Sequence, residues 1–183
     1  MRLGSEAQRS LPDLSFVCEL SYSRSAMNRY RLQYSADNCS IKRTLDVIGE
    51  KWTLLVLRET FLGVRRFEDF QRIIGCARNI LSARLATLVD EEILAREPYR
   101  EPGSRTRYEY SLTEKGRELF PALIALMQWG DRWAADPEGA PLELRHRDCE
   151  QPVGVTMTCA AGHGPLGARD THAVPGPGAR LVA

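Results

Sequence analysis

A short run of residues, RNILSAR at positions 78–84, carries side chains that could read DNA bases. At helical spacing Arg78, Asn79, Ser82 and Ala83 share one face, opposite the apolar Leu81. Arginine can form two hydrogen bonds with guanine and asparagine two with adenine, while alanine can contact the methyl group of thymine. The spacing therefore predicts a helix that enters the major groove of duplex DNA.

Two helices separated by a tight turn are predicted to position this face. Apolar residues recur at spacings of three and four on both sides of Gly75, which interrupts the pattern. They are Phe67, Phe70, Ile73 and Ile74 in the first helix and Leu81, Leu85, Leu88 and Val89 in the second. This order indicates a helix-turn-helix, although a plain antiparallel helix pair of an all-α domain also fits this stretch taken alone.

Positive charge is concentrated around the same helices. Five arginines fall between Arg65 and Arg84, against only Glu68 and Asp69, although the net charge of the whole chain is +1. A local basic patch of this kind suits a phosphate backbone even when acids elsewhere offset it. We therefore assign Arg66 and Arg84 to the predicted DNA-binding surface.

A β-hairpin is predicted directly after the second helix. Residues 93–100 and 105–112 are rich in strand-forming residues and flank a turn with Pro and Gly at residues 101–104. Arg100, Arg105 and Arg107 lie at its tip. A two-stranded ribbon of this kind after a recognition helix is the wing of a winged helix, which contacts phosphates or the minor groove. A hairpin whose charges only keep it solvated is the alternative.

Long helices are predicted on both sides of this unit. One covers residues 40–62 and ends at Gly63; the other covers residues 114–135, begins after Thr113 and is kinked or split by Pro121. The second helix is more apolar than a small domain can cover, so we expect a partner subunit to cover it. The predicted fold class is α+β, a winged helix-turn-helix with a long C-terminal dimerisation helix and an irregular C-terminal tail.

Cys39 lies at the predicted start of the first long helix. Free N–H groups and the helix dipole favour an anion there, and Lys42 and Arg43 follow one turn later. A reactive thiolate and a small residue that only fills the helix start are both compatible with this position. Cys76, in the turn between the two shorter helices, is predicted to be a small buried plug.

The tail contains a second set of residues with possible chemistry. His146, Cys149, Cys159 and His163 offer two sulfur and two imidazole ligands, which suit a tetrahedral Zn²⁺ ion. Their spacing, His-x2-Cys and Cys-x3-His, is not that of a regular zinc finger. A zinc site and an ordinary surface loop therefore both stay open, and the chain needs no other cofactor.

Composition narrows the function classes. The chain has 183 residues, 43% hydrophobic and 27% charged, as expected of an ordinary globular protein. No apolar run approaches the ~20 residues of a membrane span, and no secretory signal is visible, so we expect a cytoplasmic protein. Five scattered cysteines fit a reducing compartment. The sequence shows no nucleophile, base and orienting group at the spacing of a known catalytic motif. It also shows no phosphate-binding glycine loop, so we do not expect an enzyme.

Several segments in order resemble the HxlR family of bacterial winged-helix transcriptional regulators, relatives of the MarR family. They are CSI (39–41), DVIGEKWTLL (46–55), RFEDF (66–70), NILSARL (79–85), YEYSLTEKG (108–116) and Trp129. The resemblance implies a homodimer, held mainly by its first and last helices, that binds a palindromic DNA operator and represses or activates neighbouring genes. It also implies that Cys39 senses oxidants or electrophiles, with a small molecule or electrophile as inducer. Some family members carry His-x2-Cys and Cys-x2-Cys in the tail, where Gly162 replaces the last cysteine here.

The predicted domain organisation has three parts. Residues 1–38 form a loose arm, with Met27 as an alternative natural start and an arm that grips DNA or a partner as the competing interpretation. Residues 39–135 form the DNA-binding and dimerisation domain, and residues 136–183 a Pro/Gly-rich extension. Two alternatives to a transcription factor remain: a winged helix that contacts only proteins, and a thiol- or metal-dependent protein without specific DNA binding.

Overall fold

The structure, a computed structural model, describes residues 33–103 and 105–182; the arm predicted for the first residues falls mostly outside this range. The chain divides into two units, Cys39–Val174 and a second one formed by Met1–Asn38 with Pro175–Ala183. All the helices and strands below belong to the first unit. They are α1 (Ser40–Ile48), α2 (Lys51–Phe61), α3 (Phe67–Ile74), α4 (Arg78–Asp90), β1 (Leu94–Tyr99), β2 (Arg107–Leu112), α5 (Glu114–Arg117) and α6 (Phe120–Trp133).

The single helix predicted for residues 40–62 is wrong, because the chain breaks it into α1 and α2. Gly49 ends α1, and its N–H donates to the Leu45 carbonyl at 2.8 Å. A Cβ at position 49 would stand 2.5 Å from the same oxygen, so only glycine fits there. Glu50 then adopts an extended conformation (φ −73°, ψ 131°) before α2 begins. A helical hydrophobic period continued through this break, which is why periodicity alone missed it.

The core lies between α2, α3, α4 and the start of the hairpin. Its fully buried side chains include Val56, Leu57, Phe70, Leu81, Leu85, Leu88 and Leu94. The left-handed Gly75 (φ 70°) ends α3 as predicted and turns the chain into α4. Ile73 is a correction: it was expected in the core but is 47% exposed.

The hairpin pairs β1 and β2 antiparallel, from Leu94 opposite Leu112 to Tyr99 opposite Arg107. The segment before α3 adds to this ribbon, because the Tyr110 N–H donates to the Arg65 carbonyl at 2.8 Å. The Tyr110 ring also meets Phe70 edge-on, with ring centroids 6.4 Å apart. Burial raises the pKa of the Tyr110 hydroxyl, with Arg96 opposing the shift and Tyr108 adding to it. The wing is therefore anchored to the helix-turn-helix at its base.

The predicted last helix is split, as expected from Pro121. The Thr113 hydroxyl caps α5 by accepting the Gly116 N–H at 3.0 Å, and α6 begins again with Pro121 in its first turn. Gly116 is buried, and a Cβ there would clash with the Ile93 carbonyl. A side chain at this position would thus push α5 away from the start of the wing.

The segment that follows α6 makes two hairpin-like turns, Leu144 to Val153 and Met157 to Leu166, each closed by backbone hydrogen bonds. Gln128 of α6 ties this segment down, because its side-chain oxygen accepts the Val155 N–H at 3.0 Å. Of the helices in the described part of the chain, none has the length and apolar character needed to span a bilayer.

Candidate nucleic-acid interface

Helix α4 has a buried side and an exposed side, as the sequence predicted. Leu81, Leu85 and Leu88 are at most 1% exposed and hold the helix against α2 and α3. Arg78, Asn79, Ser82 and Ala83 are all exposed on the other side. These four side chains can therefore approach another molecule without any change in the core.

The N-terminus of α4 lies at the same exposed end. Its N-cap is Ala77, whose side chain has no oxygen and so cannot accept a hydrogen bond from the first N–H groups. The Arg78 guanidinium stacks over the Phe67 ring, 4.7 Å from its centroid. A helix start with free N–H groups and an adjacent arginine favours an anionic partner such as a phosphate.

Arg84 differs from its predicted position. It is only partly exposed, and its Nε atom is buried without a hydrogen-bond partner among the described residues. Helix geometry places Arg84 between the exposed side of α4 and the side that carries the buried leucines. Arg84 therefore lies on the flank of the candidate interface rather than on the face formed by Arg78 and Asn79.

The wing carries its arginines where they were predicted. Arg100 follows β1, Arg105 precedes β2 and Arg107 begins β2, and all three are exposed. Arg107 also lies 3.8 Å from the Glu68 carboxylate of α3. The tip of the wing thus presents positive charge, part of which is already matched by an acid of the same chain.

Arg66 is held by the wing as well. Its guanidinium donates to Glu101 at 2.9 Å and stacks over the Tyr99 ring, 4.5 Å from the centroid. Arg65 lies 3.7 Å from Glu109 of β2. These contacts, with the Arg107 to Glu68 pair, form what we call the wing brace: three Arg–Glu pairs that join the start of α3 to the wing.

The acids of the wing brace are functional candidates that sequence reasoning missed. Glu68, Glu101 and Glu109 were visible in the sequence, but their arginine partners lie 35 to 44 positions away along the chain. Beside the brace is a cleft of about 380 Å³, lined by Arg65, Arg66 and Arg72 among others. Even Arg72 is matched, since it lies 2.7 Å from Asp69. Several arginines of the basic patch are therefore already paired with acids, so the patch carries less unmatched positive charge than a count of arginines suggests.

The profile of the family described as HxlR-like helix-turn-helix matches residues 47–138, which include the helix-turn-helix and the wing. The chain belongs to this family. It is 43% identical over 147 residues to Rv3095 of Mycobacterium tuberculosis, an uncharacterized HTH-type transcriptional regulator, covering 80% of this chain and 92% of that protein. That match extends beyond residues 47–138, so the relative shares more than the winged helix.

Two solved structures are similar in fold. PA1607, provisionally named a transcription factor, is 40% identical with a TM-score of 0.67, over 75% of this chain and 95% of that one. A second such protein, PA1374 from Pseudomonas aeruginosa, is 34% identical with a TM-score of 0.53, over 78% and 95%. The predicted HxlR winged helix is thereby confirmed, and the protein is a transcriptional regulator with a helix-turn-helix DNA-binding fold.

Outside the candidate interface of this HxlR-family protein, Cys39 is the N-cap residue of α1. It is partly buried, and its side chain does not cap the helix, although its carbonyl accepts the Arg43 N–H at 3.0 Å. Lys42, one turn on, is 3.2 Å from Asp46. Cys76 is 6% exposed within the core, which confirms its predicted role as a buried plug.

The four residues proposed for zinc form two separate pairs. His146 Nδ1 lies 3.2 Å from Cys149 Sγ, and His163 Nδ1 lies 3.4 Å from Cys159 Sγ. Within residues 33–103 and 105–182, no three His, Cys, Asp or Glu side chains are grouped so that they could hold a metal ion. Because the two pairs are not brought together, each offers only two of the four ligands that a structural zinc ion requires, so the arrangement does not fit a zinc site.

Apolar side chains remain uncovered on the two outer helices. On α1, Ile41 is 71% and Leu45 56% exposed; on α6, Leu126 is 57%, Trp129 65% and Trp133 67% exposed. Single exposed apolar residues are normal on a monomer, whereas two tryptophans on one helix are a large apolar area. The described residues leave most of this apolar area exposed.

Proposed function

We propose that this transcriptional regulator acts as a homodimer on a palindromic DNA operator and controls neighbouring genes from the cytoplasm. The observation that carries the proposal is the exposed face of α4, with Arg78, Asn79, Ser82 and Ala83 opposite a fully buried leucine side. A helix of this kind fits the major groove, and two-fold symmetry of the protein would be matched by symmetry in the site.

The exposed arginines and polar residues divide into two roles in this proposal. Asn79 and Arg78 read base edges, and Ser82 and Ala83 allow the helix backbone to approach them. Arg100 and Arg105 of the wing bind phosphates or the minor groove. Three further arginines carry a charge that suits either role, but Arg66 and Arg107 must first leave a neighbouring acid and Arg84 a partly buried position.

The second copy of the chain is proposed to cover the apolar surface of α1 and α6. Burying a tryptophan removes about 150–250 Å² from water, of which Trp129 still exposes roughly two thirds. At about 25 cal/mol per Å², covering that remainder contributes about 2.5–4 kcal/mol per tryptophan. A symmetric interface uses each such residue twice, which favours a dimer over other partners.

Cys39 is proposed to control this dimer. It is the N-cap residue of α1, the helix that also carries the exposed Ile41 and Leu45, so a group added to its sulfur would lie beside the proposed interface. With a quinone, the thiol sulfur bonds to a ring carbon and the thiol proton ends on the quinone, which becomes a substituted hydroquinone. Operator affinity would fall because the spacing of the two α4 helices changes.

Selection of duplexes from a random pool, followed by gel-shift titration, tests the main proposal. We expect a palindromic consensus and an affinity that falls steeply between about 50 and 200 mM salt, since several phosphates are bound. A winged helix that contacts only proteins would give no enrichment and no salt-dependent affinity for DNA. That outcome would refute the proposed function.

The thiol proposal is tested with benzoquinone or diamide on the purified protein. We expect operator release by the wild type and none by Cys39→Ser. Cys149→Ser is the matched control, because Cys149 is an exposed cysteine outside α1 and its loss should leave the response unchanged. Release that persists in Cys39→Ser would exclude Cys39 as the sensor.

A further inference from the structure

Residues 33–38, just before α1, pair with residues 178–182, far away along the chain. Two backbone N–H to carbonyl hydrogen bonds of 2.8 Å join them, from Ser35 to Arg180 and from Val182 to Gln33. They flank an antiparallel bridge between Tyr34 and Leu181. Both segments belong to the same one of the two units, and we call residues 178–182 the strap.

A side chain adds a third hydrogen bond to this pairing. The amide group of Asn38 donates to the Gly178 carbonyl, and a Cβ at Gly178 would lie 3.6 Å from the same nitrogen. Asn38 is followed directly by Cys39, the N-cap residue of α1. The strap therefore holds the residue through which the chain enters α1.

Helix α1 has few stabilising features of its own. It is nine residues long, whereas isolated helices shorter than about 12–15 residues are marginal in water. No side chain caps it and no acid lies in its first turn, where Lys42 and Arg43 place positive charge instead. Only Ile48 is buried, and it lies at the C-terminal end. The N-terminal end of α1 thus depends on the chain that precedes it.

We propose that the strap holds the start of α1 in place and thereby limits the reactivity of Cys39. With the strap paired, the first turn of α1 follows a fixed Asn38. With the strap open, that turn frays, because little else stabilises it. Cys39 is partly buried, so its thiol reacts chiefly from the frayed state.

The strap can open at a modest cost. Every residue of the strap is exposed, including Leu181 at 69% and Val182 at 57%, so opening breaks hydrogen bonds but uncovers little apolar surface. One such hydrogen bond changes an opening equilibrium by roughly two- to tenfold. A minor open state of this kind can be shifted by small changes at the strap, which is what a regulatory element requires.

Hydrogen exchange of the full chain, measured by mass spectrometry on peptides from α1, tests the strap. Val182→Pro removes the N–H that bonds to Gln33, and Asn38→Ala removes the bond to Gly178. We expect each change to speed exchange in α1 by roughly two- to tenfold relative to α4. Val174→Pro is the matched control, since the Val174 N–H makes no hydrogen bond within the described ranges. Wild-type exchange of α1 in both strap variants, or an equal rise in the control, would overturn the proposal.

A variant that locks the strap should have the opposite effect. Tyr34 and Leu181 lie opposite each other as a non-hydrogen-bonded pair, whose Cα atoms are close enough for a disulfide. The double variant Tyr34→Cys with Leu181→Cys, once oxidised, should slow exchange in α1, and dithiothreitol should restore the faster rate. Equal exchange in the oxidised and reduced forms would show that the strap does not hold α1.

Alkylation by iodoacetamide tests the link to the thiol. The cysteine sulfur displaces iodide, its proton leaves to solvent, and mass spectrometry follows each cysteine separately. We expect Cys39 to react roughly two- to tenfold faster in Asn38→Ala, whereas the exposed Cys149 reacts at an unchanged rate in the same sample. A Cys39 rate equal to that of the wild type would refute this link.

The effect on DNA rests on the proposed function, whereas the strap itself does not. With the operator bound, benzoquinone should release it faster from Asn38→Ala than from the wild type. Equal release despite faster alkylation would refute control of the operator through the strap. Failure to bind any duplex would refute the proposed function and leave the exchange and alkylation results as they stand.

Discussion

Replacing Glu101 by Gln should strengthen DNA binding, because the wing brace holds Arg66 in an ion pair. The Arg66 to Glu101 distance is 2.9 Å, and the two side chains are 46% and 48% exposed. Such solvated pairs are worth about 0.2–1 kcal/mol, so their loss costs the fold little. The same energy opposes transfer of Arg66 to a phosphate, and Glu101→Gln removes that opposition.

The size of the gain follows from this pair energy. Each copy should gain about 0.2–1 kcal/mol, or roughly 1.4- to fivefold in affinity, and a dimer gains it twice. If Arg66 contacts DNA only in the variant, log affinity should also depend more steeply on log salt, by about 0.9 for each new phosphate contact. If Arg66 already contacts DNA in the wild type, the gain appears without a change in slope.

Fluorescence anisotropy with a labelled duplex, over about 50–300 mM salt, measures both quantities. Glu114→Gln is the matched control, because it breaks a similar exposed pair, with Arg117 at 2.9 Å in α5, away from the candidate interface. We expect no gain from this control. An affinity for DNA that is unchanged or lower in Glu101→Gln would show that the wing brace does not oppose binding.

Three further outcomes are expected. Asn79→Ala should lose about 1–3 kcal/mol per half-site only at the base pairs that Asn79 reads, which a panel of single-base operator variants measures. Arg105→Ala should weaken all duplexes alike, and a base-dependent loss would contradict its assignment to phosphates. Trp129→Ala should weaken the dimer at least about 100-fold in sedimentation velocity, whereas the same dimer constant as in the wild type would exclude α6 from the interface.

The helix-turn-helix could be predicted because its signals are local. Gly75 takes a left-handed conformation that glycine favours, and leucines four and three positions apart fix the buried side of α4. Once that side is fixed, the exposed positions of Arg78 and Asn79 follow from helix geometry alone. Thr113 and Pro121 likewise mark the start and the split of the last helical segment.

What could not be predicted depends on contacts between distant residues. The wing brace joins Arg66 to Glu101, 35 positions away, and no periodic pattern relates two such positions. Gly49 was missed for another reason: a single glycine is tolerated within a helix, and only the close approach to the Leu45 carbonyl shows that it ends one. Arg84 was assigned to the DNA face by its charge, although its place on the helix leaves it partly buried.

The break at Gly49 has a functional consequence. One continuous helix from residue 40 would have been fixed by the fully buried Val56 and Leu57 of α2, whereas the separate α1 has Ile48 as its one buried residue. An element with so little buried surface moves at low free-energy cost. Cys39 and the exposed Ile41 both belong to α1 or its cap. A thiol modification and a dimer contact would therefore act on the same helix, so a group added to Cys39 should weaken the dimer as well as the affinity for the operator.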